Sequence, residues 1–438
     1  MYYTIKSLFT PLIYNNTLMS KFIIQGKKPL KGTVEIGGYK NAAGPVLATT
    51  LLTQKECIID NLPLVTDVFN LIKILESIGV EVEWLAEKKI KIKAGEKVDP
   101  EKMDYSTVEK MRISVLLIGP LLARFKKFKI PHPGGDKIGL RPINSHLEAL
   151  RKLGAEIYEK NNFYYFDAEN LQGQEIILSE FSVTATENLI MAASLVSGTT
   201  IIKTAAAEPQ VQDTGDILKK MGVEIEGVGT HTITIKGRKE LQGVNHSVIS
   251  DPLEAGTFIA LAVATQSEIE VKNIVIGHLE MFLEKLKGMG VNFEIKPNSV
   301  IVKPSPNLKA AKIQSLPFPG FPTDLHPMVS VLLTQAEGKS LIHDPLYESR
   351  LGHLEELKKM GADIEIADPH RAFIFGPTPL RANKITSSDI RAGAALIIAA
   401  LIAEGQSEIY NIEQIDRGYE KIDEKLKKLG AKIERVEE

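Results

Sequence analysis

Apolar and polar positions along this chain follow one pattern that returns six times. In each copy an apolar stripe with helical spacing runs into a polar, mostly basic turn. A glycine follows, and then residues that alternate as a strand does; Leu218-Lys219-Lys220-Met221-Gly222-Val223-Glu224-Ile225 is typical. The other copies run from Leu75 to Val82, Leu150 to Ile157, Leu286 to Phe293, Leu357 to Ile364 and Leu426 to Ile433. Basic side chains suit the negative end of a helix dipole and glycine suits a left-handed cap, so each copy predicts a helix-to-strand corner. Gly79, Gly154, Gly222, Gly290, Gly361 and Gly430 are assigned to capping, not to chemistry.

Upstream of these corners a more apolar helix feeds a further strand. Examples are Met191 to Leu195 before Thr199 to Ile202, Phe258 to Ala262 before Glu268 to Val271, and Ala394 to Ile398 before Glu408 to Tyr410. The corner glycines recur every 68 to 75 residues, too long a period for common solenoids. The pattern therefore predicts an α/β chain of βαβ-type subdomains grouped three and three. Its nearly apolar helices should lie inside each domain and its amphipathic ones outside.

Composition sharpens this. A chain of 438 residues exceeds one hydrophobic core, which gives two domains of roughly 200 residues each. With 53 basic and 55 acidic side chains there is no global field to hold nucleic acid or an anionic membrane, so any anion site must be a local cluster. The single cysteine, Cys57, cannot form an intrachain disulfide, which fits a reducing cytoplasm, and its run Cys57-Ile58-Ile59 reads as core. No apolar run reaches the length of a membrane span; the longest, Ala392 to Ala403, stops at Glu404-Gly405. Nine histidines are scattered without metal-ligand spacing, and neither metal nor cofactor is implied.

Segments that break the repeat are where chemistry is expected. The clearest is His132-Pro133-Gly134-Gly135-Asp136-Lys137-Ile138-Gly139-Leu140-Arg141-Pro142, a mobile loop bounded by prolines that sets an acid beside a cation. A plain surface turn would read the same way. Lys40-Asn41-Ala42-Ala43, Met111-Arg112, Pro322-Thr323-Asp324 and Asp416-Arg417-Gly418-Tyr419-Glu420 also set polar residues beside apolar helices. Ser182-Val183, Arg350 and Arg391 could join them, although a lone Arg is commonly a solvated or salt-bridging surface residue.

Together these strings resemble the UDP-N-acetylglucosamine 1-carboxyvinyltransferase family, enolpyruvyl transferases of the first committed step of peptidoglycan synthesis. The likeness runs from about Lys21 to the C-terminus. Its most specific strings are Gly37 to Ala43, Gly135 to Pro142, Phe321 to Asp324 and Ile415 to Glu420. It implies two inside-out α/β barrels, each of three βαβαββ units with helices inside. One domain would span 41–249, and the other 19–40 plus 250–438. It also implies a cytoplasmic enzyme of cell-wall biogenesis, cell shape and division, with phosphoenolpyruvate and UDP-N-acetylglucosamine as small-molecule partners and no obligate protein partner.

By the same resemblance, Lys40, Arg141 and Arg417 would hold the phosphate and carboxylate of phosphoenolpyruvate. Asn41, Arg112, Pro142, Ile143, Asn144, Ser145, Ser182, Val183 and Leu346 would contact the UDP-sugar, with Arg350 and Arg391 supporting the cleft. Asp324 would take or orient the proton of the sugar's 3-hydroxyl as that oxygen attacks C2 of the enol ether. Asp136 stands where most of the family carries cysteine and would protonate C3. A free carboxyl is protonated in only about one molecule in a thousand at pH 7, so this role requires burial to raise its pKa. The antibiotic fosfomycin alkylates the family's cysteine thiolate, so insensitivity is expected here. Thr184 replaces a glycine common in the family.

Two rival readings remain. One is enolpyruvyl transfer to shikimate 3-phosphate, against which Lys40-Asn41-Ala42-Ala43 stands in place of the Lys-Ser pair and no Gly-Asn-Ala-Gly-Thr string precedes Arg112. The other is a non-catalytic UDP-sugar binding paralogue, against which Lys40, Asp324 and Arg417 are kept together. Residues 1–18 are Tyr- and Asn-rich and resemble neither a secretory signal nor a core element, which makes Met19 the expected start of the functional chain. Peptide mapping of the native protein should find no fragment from Met1 to Leu18; recovering one would contradict this.

Overall fold

The computed structural model describes residues 20–135 and 138–437. Contacts divide the described residues into two compact units, 38–135 with 141–249, and 250–437 joined by 20–37 and 138–140. Lys40 thus belongs to the first unit, whereas the expected crossing lay just after it. The reason is local: Tyr39 N donates to Ile249 O and the Lys40 ammonium pairs with Asp67, both within that unit.

Each unit holds three small sheets, six in all among the described residues. Their ladders are separate, one small sheet to each repeat unit. Five sheets have four strands in a common plan. In one, Glu175–Ile177 pairs parallel with Thr199–Lys203, which pairs antiparallel with Thr232–Lys236 and through it with Glu224–Glu226. The sheet of Lys127–Pro131, Phe163–Asp167 and Glu156–Lys160 lacks the parallel edge strand. In the last sheet the middle place is taken by Ser20–Gln25, between Gln406–Tyr410 and Lys432–Glu437. The second unit is therefore completed by residues 20–25.

Six helices are buried nearly all round. In the first unit these are α1 (Lys40–Thr49), α2 (Ile118–Phe125) and α3 (Val183–Ala193); in the second, α4 (Pro252–Ala264), α5 (His326–Thr334) and α6 (Ile390–Ile402). Every residue from Ile390 to Leu401 is buried, as is every residue of α5. Burying each Leu, Ile or Val side chain contributes about 1.5–3 kcal/mol, enough over three helices to hold a core without further staples. The amphipathic helices keep a polar face outward, as Pro209–Lys220 does with Asp216, Lys219 and Lys220 exposed. No helix among the described residues is long and apolar enough to cross a membrane.

All six corners form as the pattern predicts. Each glycine has positive φ, from 88° at Gly290 to 110° at Gly154. In each, the glycine N–H donates to the carbonyl three residues back and the next N–H to the carbonyl five back, as in Gly222 to Lys219 and Val223 to Leu218. That double bond is the Schellman cap, and it turns the chain into the outer strand.

At Gly222 an added Cβ would meet nothing within 4 Å, so only backbone strain opposes it. Gly222→Ala should cost about 1–2 kcal/mol in urea unfolding. Gly288→Ala, at an equally open helical position without positive φ, should be neutral or slightly stabilising. Equal effects would contradict the capping account.

Candidate functional site

The buried helices create a polar problem at their N-termini, where the first N–H groups lack helical partners. Side chains answer it at three of them: Ser182 Oγ accepts from Ala185 N (3.4 Å), Asp251 from Leu253 N (2.7 Å) and Glu254 N (3.0 Å), and Asp389 from Arg391 N (2.9 Å) and Ala392 N (3.0 Å). Several sequence-predicted residues lie at these ends: Lys40 and Asn41, Ser182 and Val183, Asp324, and Arg391.

In the first unit, Lys40 opens α1 and donates to Asp67 Oδ2 at 2.8 Å, with both side chains nearly buried. A buried ammonium needs such a partner to remain charged. Asn41 Nδ2 donates to Tyr39 Oη (3.2 Å). Arg112 opens the 3-10 turn Arg112–Leu117 that runs into α2, and its Nη2 donates to Pro142 O (3.2 Å), joining two of the predicted segments. A Cβ on Gly44 of α1 would lie 2.2 Å from Ile113 Cδ1, so α1 and the Arg112 turn pack backbone to side chain.

His146 ties Ser145 to the Ser182 segment. Its Nε2 lies 3.0 Å from Thr184 Oγ1 and its Nδ1 3.1 Å from Asn188 Nδ2. Because the Asn188 amide nitrogen can only donate, Nδ1 accepts and Nε2 carries the proton toward Thr184. Burial, then the Arg112 charge, pushes His146 down to about 3, so the ring is neutral. The hydroxyl of Thr184 is thus engaged from below by a buried imidazole. Arg141 and Asn144 are partly or largely exposed, Pro142 is exposed, and Ile143 is buried.

Asp136 and Lys137 lie outside the described residues. The glycines before them are held tightly: a Cβ on Gly134 would lie 2.0 Å from Glu109 O, and one on Gly135 2.7 Å from Arg112 Cβ. The segment expected to be a mobile loop is therefore packed on residues 109–112 up to Gly135, because only glycine admits that approach. Ile138 to Leu140 fold with the second unit, where Leu140 N donates to Glu348 Oε1 (2.7 Å) and Ser349 N to Ile138 O (3.1 Å).

In the second unit Asp324 lies in the 3-10 turn Thr323–Leu325 that leads into α5. Its carboxylate binds Arg350 Nη2 (2.5 Å) and Arg391 Nε (3.2 Å), and Arg350 Nη1 reaches Asp389 Oδ1 (3.3 Å). Both guanidiniums are only 3% exposed. Burial works against the charge on Arg350, but Asp324 and Asp389 more than offset it. Arg391 also lies over the Tyr419 ring at 5.1 Å, and Tyr419 Oη pairs with Thr257 Oγ1 at 2.8 Å. Arg417 follows the short helix Glu413–Asp416, and its Nη1 donates to Gln414 Oε1 (2.8 Å); Ile415 of that helix packs on Gly393 of α6. Leu346 is 40% exposed, and its amide donates to Asp344 Oδ1 (2.9 Å).

Within the first unit Arg112 meets Pro142, and within the second Arg350 and Arg391 meet on Asp324. Sequence reasoning missed Asp67, His146, Asp344 and Asp389. Asp389 alone left a local sign, an acidic residue just before the apolar run of α6, which is a helix-start signal.

The fold is that of enolpyruvyl transferases. A family model described as EPSP synthase (3-phosphoshikimate 1-carboxyvinyltransferase) matches residues 24–426. The crystal structure of the enolpyruvyl transferase NikO from Streptomyces tendae superposes with a TM-score of 0.88, covering 96% of this chain and 100% of that one at 22% identity. The chain belongs to the family of UDP-N-acetylglucosamine 1-carboxyvinyltransferases. It is 43% identical over 418 residues to UDP-N-acetylglucosamine 1-carboxyvinyltransferase 1 of Caldanaerobacter subterraneus subsp. tengcongensis, covering 95% of this chain and all of the relative. It is 44% identical over 420 residues to UDP-N-acetylglucosamine 1-carboxyvinyltransferase 2 of Carboxydothermus hydrogenoformans, again over 95% and 100%.

The buried imidazoles have a consequence for acid stability. His146 is pushed down to about 3; His326 and His353 are lowered too, chiefly by burial, with Arg350 adding to both. A histidine depressed in the folded state takes up a proton on unfolding once pH falls below its ordinary value. Stability is thus full above about pH 6.5 and declines below it, by up to ~1.4 kcal/mol per pH unit for each ring. The urea midpoint should fall between pH 7.5 and 5.5, and less in His146→Gln than in the parent; parallel declines would contradict this.

Proposed function

We propose that this protein transfers the enolpyruvyl group of phosphoenolpyruvate to the 3-hydroxyl of UDP-N-acetylglucosamine, releasing phosphate, as the first committed step of peptidoglycan synthesis in the cytoplasm. Identity above 40% over essentially the whole length of relatives carrying that activity in their names is the observation that carries the reading. The substrates are both anions, and the buried cations Lys40, Arg350 and Arg391 suit them.

In this reading Lys40, Arg141 and Arg417 hold phosphoenolpyruvate. Asn41, Arg112, the run Pro142 to Ser145, Ser182, Val183 and Leu346 hold the UDP-sugar. Asp324, fixed between two guanidiniums, accepts or orients the 3-hydroxyl proton while the sugar oxygen forms a bond to C2. The electron pair of the C2–C3 double bond takes a proton from Asp136, giving a tetrahedral adduct. Loss of a proton from C3 and departure of phosphate from C2 restore the double bond. Preorganised charges around a developing anion supply much of such a rate enhancement.

A carboxyl donor works only while protonated, so activity falls as pH rises through its pKa. Thiols ordinarily titrate near 8.5 and carboxyls near 4, which places the alkaline limb lower for Asp136 than for a cysteine. We expect product formation, followed by mass spectrometry, to be unaffected by fosfomycin in the parent and abolished by it in Asp136→Cys, whose alkaline limb should also move upward. Coincident pH profiles, or stoichiometric labelling of the parent by the drug, would contradict the role of Asp136. Absence of product from both proteins would contradict the function itself.

A further inference from the structure

We propose that Asp344 is a positioning residue for the transfer reaction, a buried carboxylate that fixes Asp324 and the segment from Leu346 to Arg350 against one another. The inference rests on the reading of Asp324 as the group that handles the hydroxyl proton.

Asp344 follows the strand Gly338–His343 and is wholly buried. Its main chain is clamped by His370, whose carbonyl accepts from Asp344 N (2.8 Å) and whose Nδ1 lies 2.7 Å from Asp344 O. One carboxylate oxygen, Oδ2, accepts from Thr323 Oγ1 and stands 3.1 Å from His326 Nε2. Those two residues bracket Asp324, one before it and two after. The other oxygen, Oδ1, accepts from Leu346 N (2.9 Å) and Tyr347 N (3.2 Å), opening the turn that leads to Arg350. Arg350 then returns to Asp324 at 2.5 Å. The contacts close a ring: Asp344, the Thr323 turn, Asp324, Arg350, and back along the chain.

Only a carboxylate fills this place. It offers acceptor sites on both oxygens and no donor, which matches the Thr323 hydroxyl on one side and two amides on the other, with the His326 ring 3.1 Å away. Burial pushes the Asp344 pKa up, but His326, the Thr323 hydroxyl and the Leu346 amide outweigh it and hold the group well below the ordinary carboxylate range. An asparagine of the same size must turn its nitrogen toward one pair of donors. If it keeps the amides, it loses the grip on the Thr323 turn, and Asp324 is free to drift against Arg350. A displacement of about 1 Å at a reacting group can cost ~100-fold in rate.

The test uses the full-length enzyme with Asp344→Asn, Thr323→Val, Thr323→Ser, the double variant Asp344→Asn/Thr323→Val, and Asp324→Asn as reference. We expect Asp344→Asn and Thr323→Val each to lower kcat about 10- to 100-fold, with KM for phosphoenolpyruvate within about twofold of the parent. The double variant should be no worse than the more impaired single, since both remove one contact. Thr323→Ser, which keeps the hydroxyl, should lose far less than Thr323→Val. Should Asp344→Asn fail to fold, the Thr323→Val and Thr323→Ser pair alone decides. Parent kcat in Asp344→Asn, losses that multiply in the double variant, or a change confined to thermal stability would overturn the proposal while leaving Asp324 in its role. Parent kcat in Asp324→Asn would overturn both.

Discussion

Six apolar helices buried inside their own units impose the constraint from which the rest follows. A helix surrounded by side chains cannot offer its first N–H groups to water, and its N-terminus carries partial positive charge. Polar residues must therefore be brought into the interior at six places. Lys40 and Asn41 start α1, Arg112 starts the turn into α2, Ser182 caps α3, Asp251 caps α4, Asp324 precedes α5, and Asp389 and Arg391 start α6. The repeat that builds the core also supplies positions where charge is needed, and several of the proposed substrate contacts, Lys40, Arg112, Asp324 and Arg391 among them, are drawn from them.

Charge at those positions is held by pairing. Lys40 has Asp67, and Arg350 and Arg391 share Asp324 while Asp389 serves Arg350 and the α6 amides at once. Breaking a buried pair by removing one partner is far more damaging than the net stability of the pair suggests. The same pairs suit anionic substrates, because a phosphate or carboxylate can take over a guanidinium face without leaving it bare. Glycine serves this arrangement where backbones must touch, as Gly134 and Gly135 do on Glu109 and Arg112.

The corners were readable from sequence because their cause is local: four or five residues determine a Schellman cap, and Gly79 through Gly430 obey it without tertiary help. The separation of apolar from amphipathic helices was readable for the same reason, since it rests on spacing alone. The place of residues 19–40 in the second domain came from the resemblance alone, and the central position of Ser20–Gln25 in the last sheet was not readable, because strand pairing across hundreds of residues leaves no local trace. At the site, Lys40, Arg112, Asp324, Arg350 and Arg391 were found through motif resemblance. Of their partners, Asp389 showed only a helix-start signal, while Asp67 and Asp344 are ordinary acids in sequence and gain meaning only when folding sets Asp67 beside Lys40 and Asp344 beside the Thr323 hydroxyl. His146 was hidden likewise, as a histidine on a helix whose role depends on Thr184 and Asn188.

The central claim is that this scaffold delivers the enolpyruvyl group to a UDP-sugar. It is tested most directly by phosphate release from phosphoenolpyruvate with UDP-N-acetylglucosamine and, separately, with shikimate 3-phosphate as acceptor. Release with the UDP-sugar and none above background with the shikimate ester is the predicted result; release only with the shikimate ester, or with neither, would contradict it.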